Sequence, residues 1–165
     1  MRGYNDYVFL TKRYLKSYNY LKNSVEFMRG DIEALEKELK LGIAAPIAKY
    51  GDEPRGGCPE LNTVEAAVDK RIRLENRIDA LREDMLTTQR LLDKVDRALQ
   101  SLDVNTKHMV MDHYYAGMGW EEVGDRYHYS GKRAGEIGRK ALENVALMLF
   151  GIKARPVQLS FVFAT

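Results

Sequence analysis

The chain has 165 residues, a length suited to one domain or two small modules and too short for most large enzyme scaffolds. Charged residues make up 30% and hydrophobic residues 45%, with a net charge of only +2, which excludes both a disordered polyampholyte and a supercharged tail. Cys58 is the single cysteine, no secretory leader is recognised, and no apolar run approaches the roughly 20 residues that cross a bilayer, so the expectation is a cytoplasmic protein without a membrane partner.

All four prolines lie at or after Pro46, so long helices are the default for most of the chain. Apolar residues at Tyr14, Tyr18, Leu21, Val25, Met28, Ile32, Leu35 and Leu39 alternate spacings of four and three, which is a heptad seam and predicts a helix over 14–39, about 38 Å long. Residues 42–61 then concentrate Gly and Pro, including Pro46, Pro54, Gly56, Gly57 and Pro59, and are expected to form a connector loop. A second helix is predicted over 62–102, capped by Asn62 or Thr63, with a seam of Leu74, Ile78, Leu81, Met85, Thr88, Leu92, Val95, Leu99 and Leu102. Two long helices joined by a loop read as an antiparallel coiled-coil hairpin over 1–102. Its narrow seams bury little, which predicts self-association into a homodimer or higher homo-oligomer.

From residue 103 the period breaks into three shorter helices, Val104 to Tyr115, Trp120 to Tyr127 and Ser130 to Phe150. Gly151 and Pro156 stop the last, and residues 151–165 alternate as a short extended tail would. The fold class is therefore all-α, a long N-terminal helical hairpin followed by a three-helix module over 103–150.

Within that module the run from Trp120 to Arg139 has helix-turn-helix spacing. Helices crossing over a short turn need a small residue where they touch, here Gly124, with Val123 and Tyr127 as apolar anchors. His128 falls at the tight turn, followed by the apolar Tyr129 and a capping Ser130, and the second helix then buries Ala134, Ile137, Ala141 and Leu142. That leaves Lys132, Glu136 and Arg139 on the opposite face, flanked by Arg133 and Lys140. Residues 126–140 hold five basic side chains against the single acid Glu136, a local excess of four on a chain whose total is +2. A helix of this kind enters the major groove with its N-terminal residues at base edges, while its cations neutralise phosphates. Arg126, Ser130, Gly131, Lys132, Arg133, Gly135, Glu136, Arg139 and Lys140 are the candidate DNA contacts.

Residues 98–149 resemble region 4 of sigma-70-type factors. The matching features are Leu102-Asp103 before a helix, Tyr114-Tyr115 closing it, Trp120-Glu121-Glu122-Val123 opening the next, and Arg139-Lys140-Ala141-Leu142 ending the reader helix. A coiled-coil hairpin with Pro54-Arg55-Gly56-Gly57 before such a module is similar to phage-encoded late transcriptional regulators of the ArpU and RinA type. The resemblance implies sequence-specific binding to double-stranded DNA near a promoter, control of phage late genes in a bacterial host, and contact with RNA polymerase. Two features depart from the sigma pattern: His128 stands where Gly is expected, and Gly131, Gly135 and Gly138 make the reader helix rich in glycine.

Other signals are weaker. Pro54-Arg55-Gly56 has the core of a minor-groove arginine hook but lacks a second arginine at Gly57, and reads as an ordinary loop. His108 and His113 diverge on a helix and Cys58 is remote, so no metal site and no cofactor is expected. Nucleophile elbows, phosphate-cradling loops and paired catalytic carboxylates are absent, which argues against an enzyme. The competing readings are a DNA-packaging adaptor, similar in parts to phage small terminase subunits, and an RNA polymerase-binding protein that uses the basic face on acidic surfaces. Small terminases usually place their DNA-binding helices first, and here they come last.

Overall fold

A computed structural model describes residues 6–43 and 59–154, with side chains over 6–42 and 65–154. Every regular element among them is helical: α1 (Asp6–Ile43), α2 (Pro59–Gln100), α3 (Val104–Tyr114), α4 (Trp120–Tyr127), α5 (Gly131–Phe150) and a 3-10 turn (Gly151–Ala154). The Pro54-Arg55-Gly56-Gly57 motif, Cys58 and the tail beyond Ala154 lie outside the described residues.

α1 extends past its predicted span at both ends, while α2 starts before its predicted span and stops at Gln100, two residues short of Leu102. α1 begins eight residues before Tyr14, with Asp6 in its first turn where a carboxylate favours the helix dipole. α2 begins at Pro59 rather than at a cap on Asn62 or Thr63, because proline is at home in a first turn where its missing N–H has no partner to lose. The extended tail expected from residue 151 instead opens with the 3-10 turn, whose Ala154 is buried. Gly151 at φ 63° ends α5 as anticipated.

The described chain forms two compact units. One joins the chain up to Lys22 with the chain from Arg90 onward, and the other is Asn23–Gln89. In the first, Leu15 of α1 and Val95, Ala98 and Leu99 of α2 share a core with Val110, Tyr114, Ala141, Leu142 and Val145. The division expected after Leu102 therefore runs through a shared core, since α3 and α5 cover the ends of both long helices. Burying such aliphatic side chains contributes about 1.5 to 3 kcal/mol each, far above any surface ion pair. Leu15, outside the heptad seam, is wholly buried because α1 is enclosed from two sides here. Tyr18 donates to Asp96 of α2 at 2.8 Å, while Phe150 of α5 meets the rings of Tyr7 and Tyr14 at 5.0 and 6.4 Å.

In the second unit the seams hold as predicted. Val25, Ile32 and Ile78 are buried, and Met28, Leu35, Leu39, Leu74, Leu81, Met85 and Thr88 are half-buried. Arg82 pairs with Glu36 at 2.6 Å and Lys70 with Glu38 at 2.8 Å, so rising positions on α1 face falling positions on α2. These pairs are largely exposed and contribute below about 1 kcal/mol each, so the apolar seam carries the packing.

Candidate nucleic-acid interface

The corner between α4 and α5 is fixed residue by residue. Gly119 starts α4, its N–H donating to the Glu122 carboxylate at 2.8 Å. At Gly124 a Cβ would lie 2.6 Å from the Tyr129 carbonyl oxygen and 3.0 Å from the Gly131 nitrogen, so any side chain would push the turn away. His128 adopts φ 62° and ψ 38°, the left-handed conformation that turns the chain, and the Tyr129 N–H closes onto the Gly124 carbonyl at 2.8 Å. Ser130 then caps α5, its hydroxyl accepting from the Arg133 N–H at 3.2 Å. Tyr129 is 42% exposed and does not serve as an apolar plug for the corner; Val123, fully buried, fills that role with Met109 and Ala134.

The glycines of α5 have a common cause. A Cβ on Gly138 would fall 2.0 Å from the Trp120 ring, one on Gly131 would fall 2.7 Å from the Glu121 side chain, and Gly135 faces the Trp120 ring edge at 3.7 Å. The three glycines form a shallow trough along α5 that receives the start of α4. Trp120 is closed from its other face by His113, whose ring stacks on the indole at 3.8 Å and 21°. The His113 Nδ1–H donates to the Met118 carbonyl at 2.7 Å, which fixes the tautomer because a carbonyl only accepts. Burial holds the His113 pKa below its ordinary value; the Met118 hydrogen bond opposes this, and the positive charges of Lys16 and Lys12 add to it.

A second latch joins α3 to α4. The Asp112 carboxylate accepts from Arg126 and from the Tyr127 hydroxyl, each at 2.9 Å. Burial and this hydrogen bond both raise the Tyr127 pKa.

The face of α5 opposite its buried residues carries the cations. Lys132, Arg133, Arg139 and Lys140 are exposed, and Lys132, Glu136 and Arg139 fall on one stripe three to four residues apart. Lys132, Arg139 and Lys140 form no ion pair among the described residues, whereas Arg133 meets Glu136 at 3.2 Å. The candidate residues thus separate into three groups. Lys132, Arg139 and Lys140 present free cations, Arg133 and Glu136 present a neutralised pair, and Arg126 is exposed but tied to Asp112. Gly131 and Gly135 face α4, leaving only backbone for a ligand, and Ser130 is engaged as the cap. Sequence reasoning missed Trp120, His113 and Asp112 as the supports of this face, and read Tyr127 as an apolar anchor without its hydroxyl bond to Asp112. The signal for Trp120 was present in the glycines at 135 and 138, one helical turn apart.

A rigid corner that projects free ammonium and guanidinium groups is suited to acidic, hydrogen-bond-accepting partners such as phosphates and guanine edges. Among the described residues no group of three His, Cys, Asp or Glu converges on a point that would hold a metal ion, and no helix is long and apolar enough to cross a membrane. Neither protein-family models, nor curated proteins, nor solved structures give a match to this chain.

Proposed function

We propose that this chain is a sequence-specific, double-stranded-DNA-binding transcriptional regulator. In this reading α4 and α5 are a helix-turn-helix, α3 is its supporting helix, and α5 enters the major groove. The observation that carries it is the combination of a corner locked by Gly124, His128 and Ser130 with an exposed stripe on α5 where Lys132, Arg139 and Lys140 have no ion-pair partner among the described residues. Arg139 and Lys132 serve as base-edge contacts, and Arg133, Lys140 and Arg126 serve the phosphates. The paired α1 and α2 act as an antiparallel coiled-coil hairpin that brings two or more copies together and sets half-site spacing. Following the resemblance stated above, the genes controlled are phage late genes, with RNA polymerase as a further partner.

The test is selection of bound duplexes from a randomised DNA pool with wild type and a Lys132→Ala/Arg139→Ala double variant in parallel. The proposal expects an enriched, two-fold-related motif that the variant fails to enrich. Salt-sensitive binding without a motif transfers the assignment to a packaging adaptor, and no DNA binding at all transfers it to a polymerase-binding protein.

A further inference from the structure

The DNA-contacting surface proposed above has a neighbour on α1 that no motif marks. Between Asp6 and Glu26 the helix carries no acid and four basic residues, Lys12, Arg13, Lys16 and Lys22, all exposed. None of the four forms an ion pair among the described residues. In Asn23–Gln89, by comparison, Arg29, Lys70, Arg71 and Arg82 each hold a carboxylate at 3.2 Å or closer, while Lys37, Lys40, Arg73 and Arg77 form no ion pair among the described residues. Acids are interspersed throughout that unit; the α1 stretch is set apart by having no acid of its own. Cations that a surface leaves unneutralised repel one another and lower their free energy by meeting an anion from outside.

Their position links them to the helix-turn-helix. Lys12, Lys16 and Asn19 are spaced i, i+4 and i+7, so they share one stripe of α1. Asn19 donates to the Tyr115 carbonyl at 3.2 Å, at the C-terminal end of α3, and the neighbouring Tyr18 stacks on the Tyr115 ring at 4.4 Å. That stripe therefore runs beside the chain that leads from α3 into α4. The charges of Lys16 and Lys12 are felt at His113, which is stacked on Trp120, the first residue of α4. The first helix of a helix-turn-helix crosses the DNA backbone near its N-terminus, so a basic stripe beside that end lies along the path of the strand.

We propose that Lys12 and Lys16, with Arg13 beside them, bind the phosphate backbone of the same duplex that α5 reads, extending the footprint beyond the helix-turn-helix. This rests on the DNA-binding reading above. The contacts are to phosphate, carry no sequence information, and add affinity and salt dependence on any duplex.

The experiment titrates two fluorescent duplexes, the enriched sequence and a scrambled one, against wild type, Lys12→Ala/Lys16→Ala and Lys12→Arg/Lys16→Arg across a range of salt. Losing two phosphate contacts is expected to lower the slope of log affinity against log salt by about 2 and to weaken binding roughly ten- to a hundred-fold at about 0.1 M salt. The loss should be equal on both duplexes, leave the preferred motif unchanged, and be restored by the arginine variant. Both lysines are exposed, and circular dichroism of the variants confirms an intact helix content. An alanine variant with wild-type affinity and slope, in a protein that still selects a motif, overturns this inference and leaves the DNA-binding reading standing. A wild type that binds neither duplex at any salt removes both.

Discussion

Trp120 lies directly over Gly138: a Cβ placed on that glycine would come within 2.0 Å of the indole ring. Alanine ordinarily gains about 1 kcal/mol over glycine in a helix interior. At Gly138 the sign reverses, because a rigid ring clamped between α5 and His113 cannot step aside and overpacking costs about 1 to 3 kcal/mol. Gly138→Ala is expected to lower the midpoint of chemical unfolding and to shift the fluorescence of the single tryptophan, while Gly135→Ala, with 3.7 Å of room, raises the midpoint. A Trp120→Phe background should recover much of the Gly138→Ala loss. Equal and additive losses in both backgrounds would show that the ring is not the cause.

His128 and Gly124 meet at the corner in opposite senses. The left-handed conformation at His128 costs an L-residue about 1 to 2 kcal/mol, so His128→Gly is expected to stabilise the fold, partly offset by the freer unfolded chain. Gly124→Ala is expected to destabilise it by more than 1 kcal/mol, since the obstacle is backbone of the turn itself. Thermal unfolding of the two variants checks the pair, and a destabilising His128→Gly contradicts the account.

The Tyr115 hydroxyl is buried and has no hydrogen-bond partner among the described residues. Removing an unsatisfied buried polar group while keeping the ring and its stack on Tyr18 at 4.4 Å is expected to stabilise Tyr115→Phe by about 1 kcal/mol. Urea unfolding reads this directly; a loss of stability would mean that the hydroxyl has a partner.

Much of this architecture is legible in the residues alone. Every member of the two heptad seams is buried or half-buried, and the borders of α4 follow from Gly119 and His128. These features are local, set by period, caps and turn chemistry. What sequence reasoning lost is long-range. Leu15 is deepest where α2 and α5 close on α1 from two sides, which no period on α1 alone encodes. Likewise the three glycines of α5 read only as a departure from the resembled pattern until Trp120 and Glu121 are seen against them. The basic face was legible as composition, but its division into free cations and the Arg133–Glu136 pair needed side-chain geometry.

His113 and Tyr18 give the fold a pH dependence at both ends. Burial holds the folded His113 pKa below its ordinary value of 6.5, so its neutral form is favoured. Stability is then full above about 6.5 and is lost as pH falls through the lower folded value. Burial and the bond to Asp96 push Tyr18 up to about 12, so its contribution is present below 10 and is lost as pH rises through about 12. Urea midpoints are expected to fall between pH 7.5 and pH 5, and His113→Phe, which keeps an aromatic stack on Trp120, should flatten that part of the curve. An unchanged acid slope in this variant would assign the effect to other groups.

Under the proposed DNA-binding reading, Arg139 and Arg133 are expected to separate base reading from phosphate binding on one helix. Arg139 has no ion-pair partner among the described residues and lies on the same stripe as Lys132, whereas Arg133 sits to the side and shares its charge with Glu136 at 3.2 Å. If α5 lies in the major groove, Arg139→Ala should cost about 1 to 3 kcal/mol against one base pair of the enriched motif and relax preference there alone. Arg133→Ala removes a cation and also releases the Glu136 carboxylate, so it should weaken binding on every sequence alike and lower the salt slope by about 1. Affinities of both variants for the motif and for each single-base change decide the matter. A uniform loss from Arg139→Ala would withdraw it from the base edge and place it on the backbone.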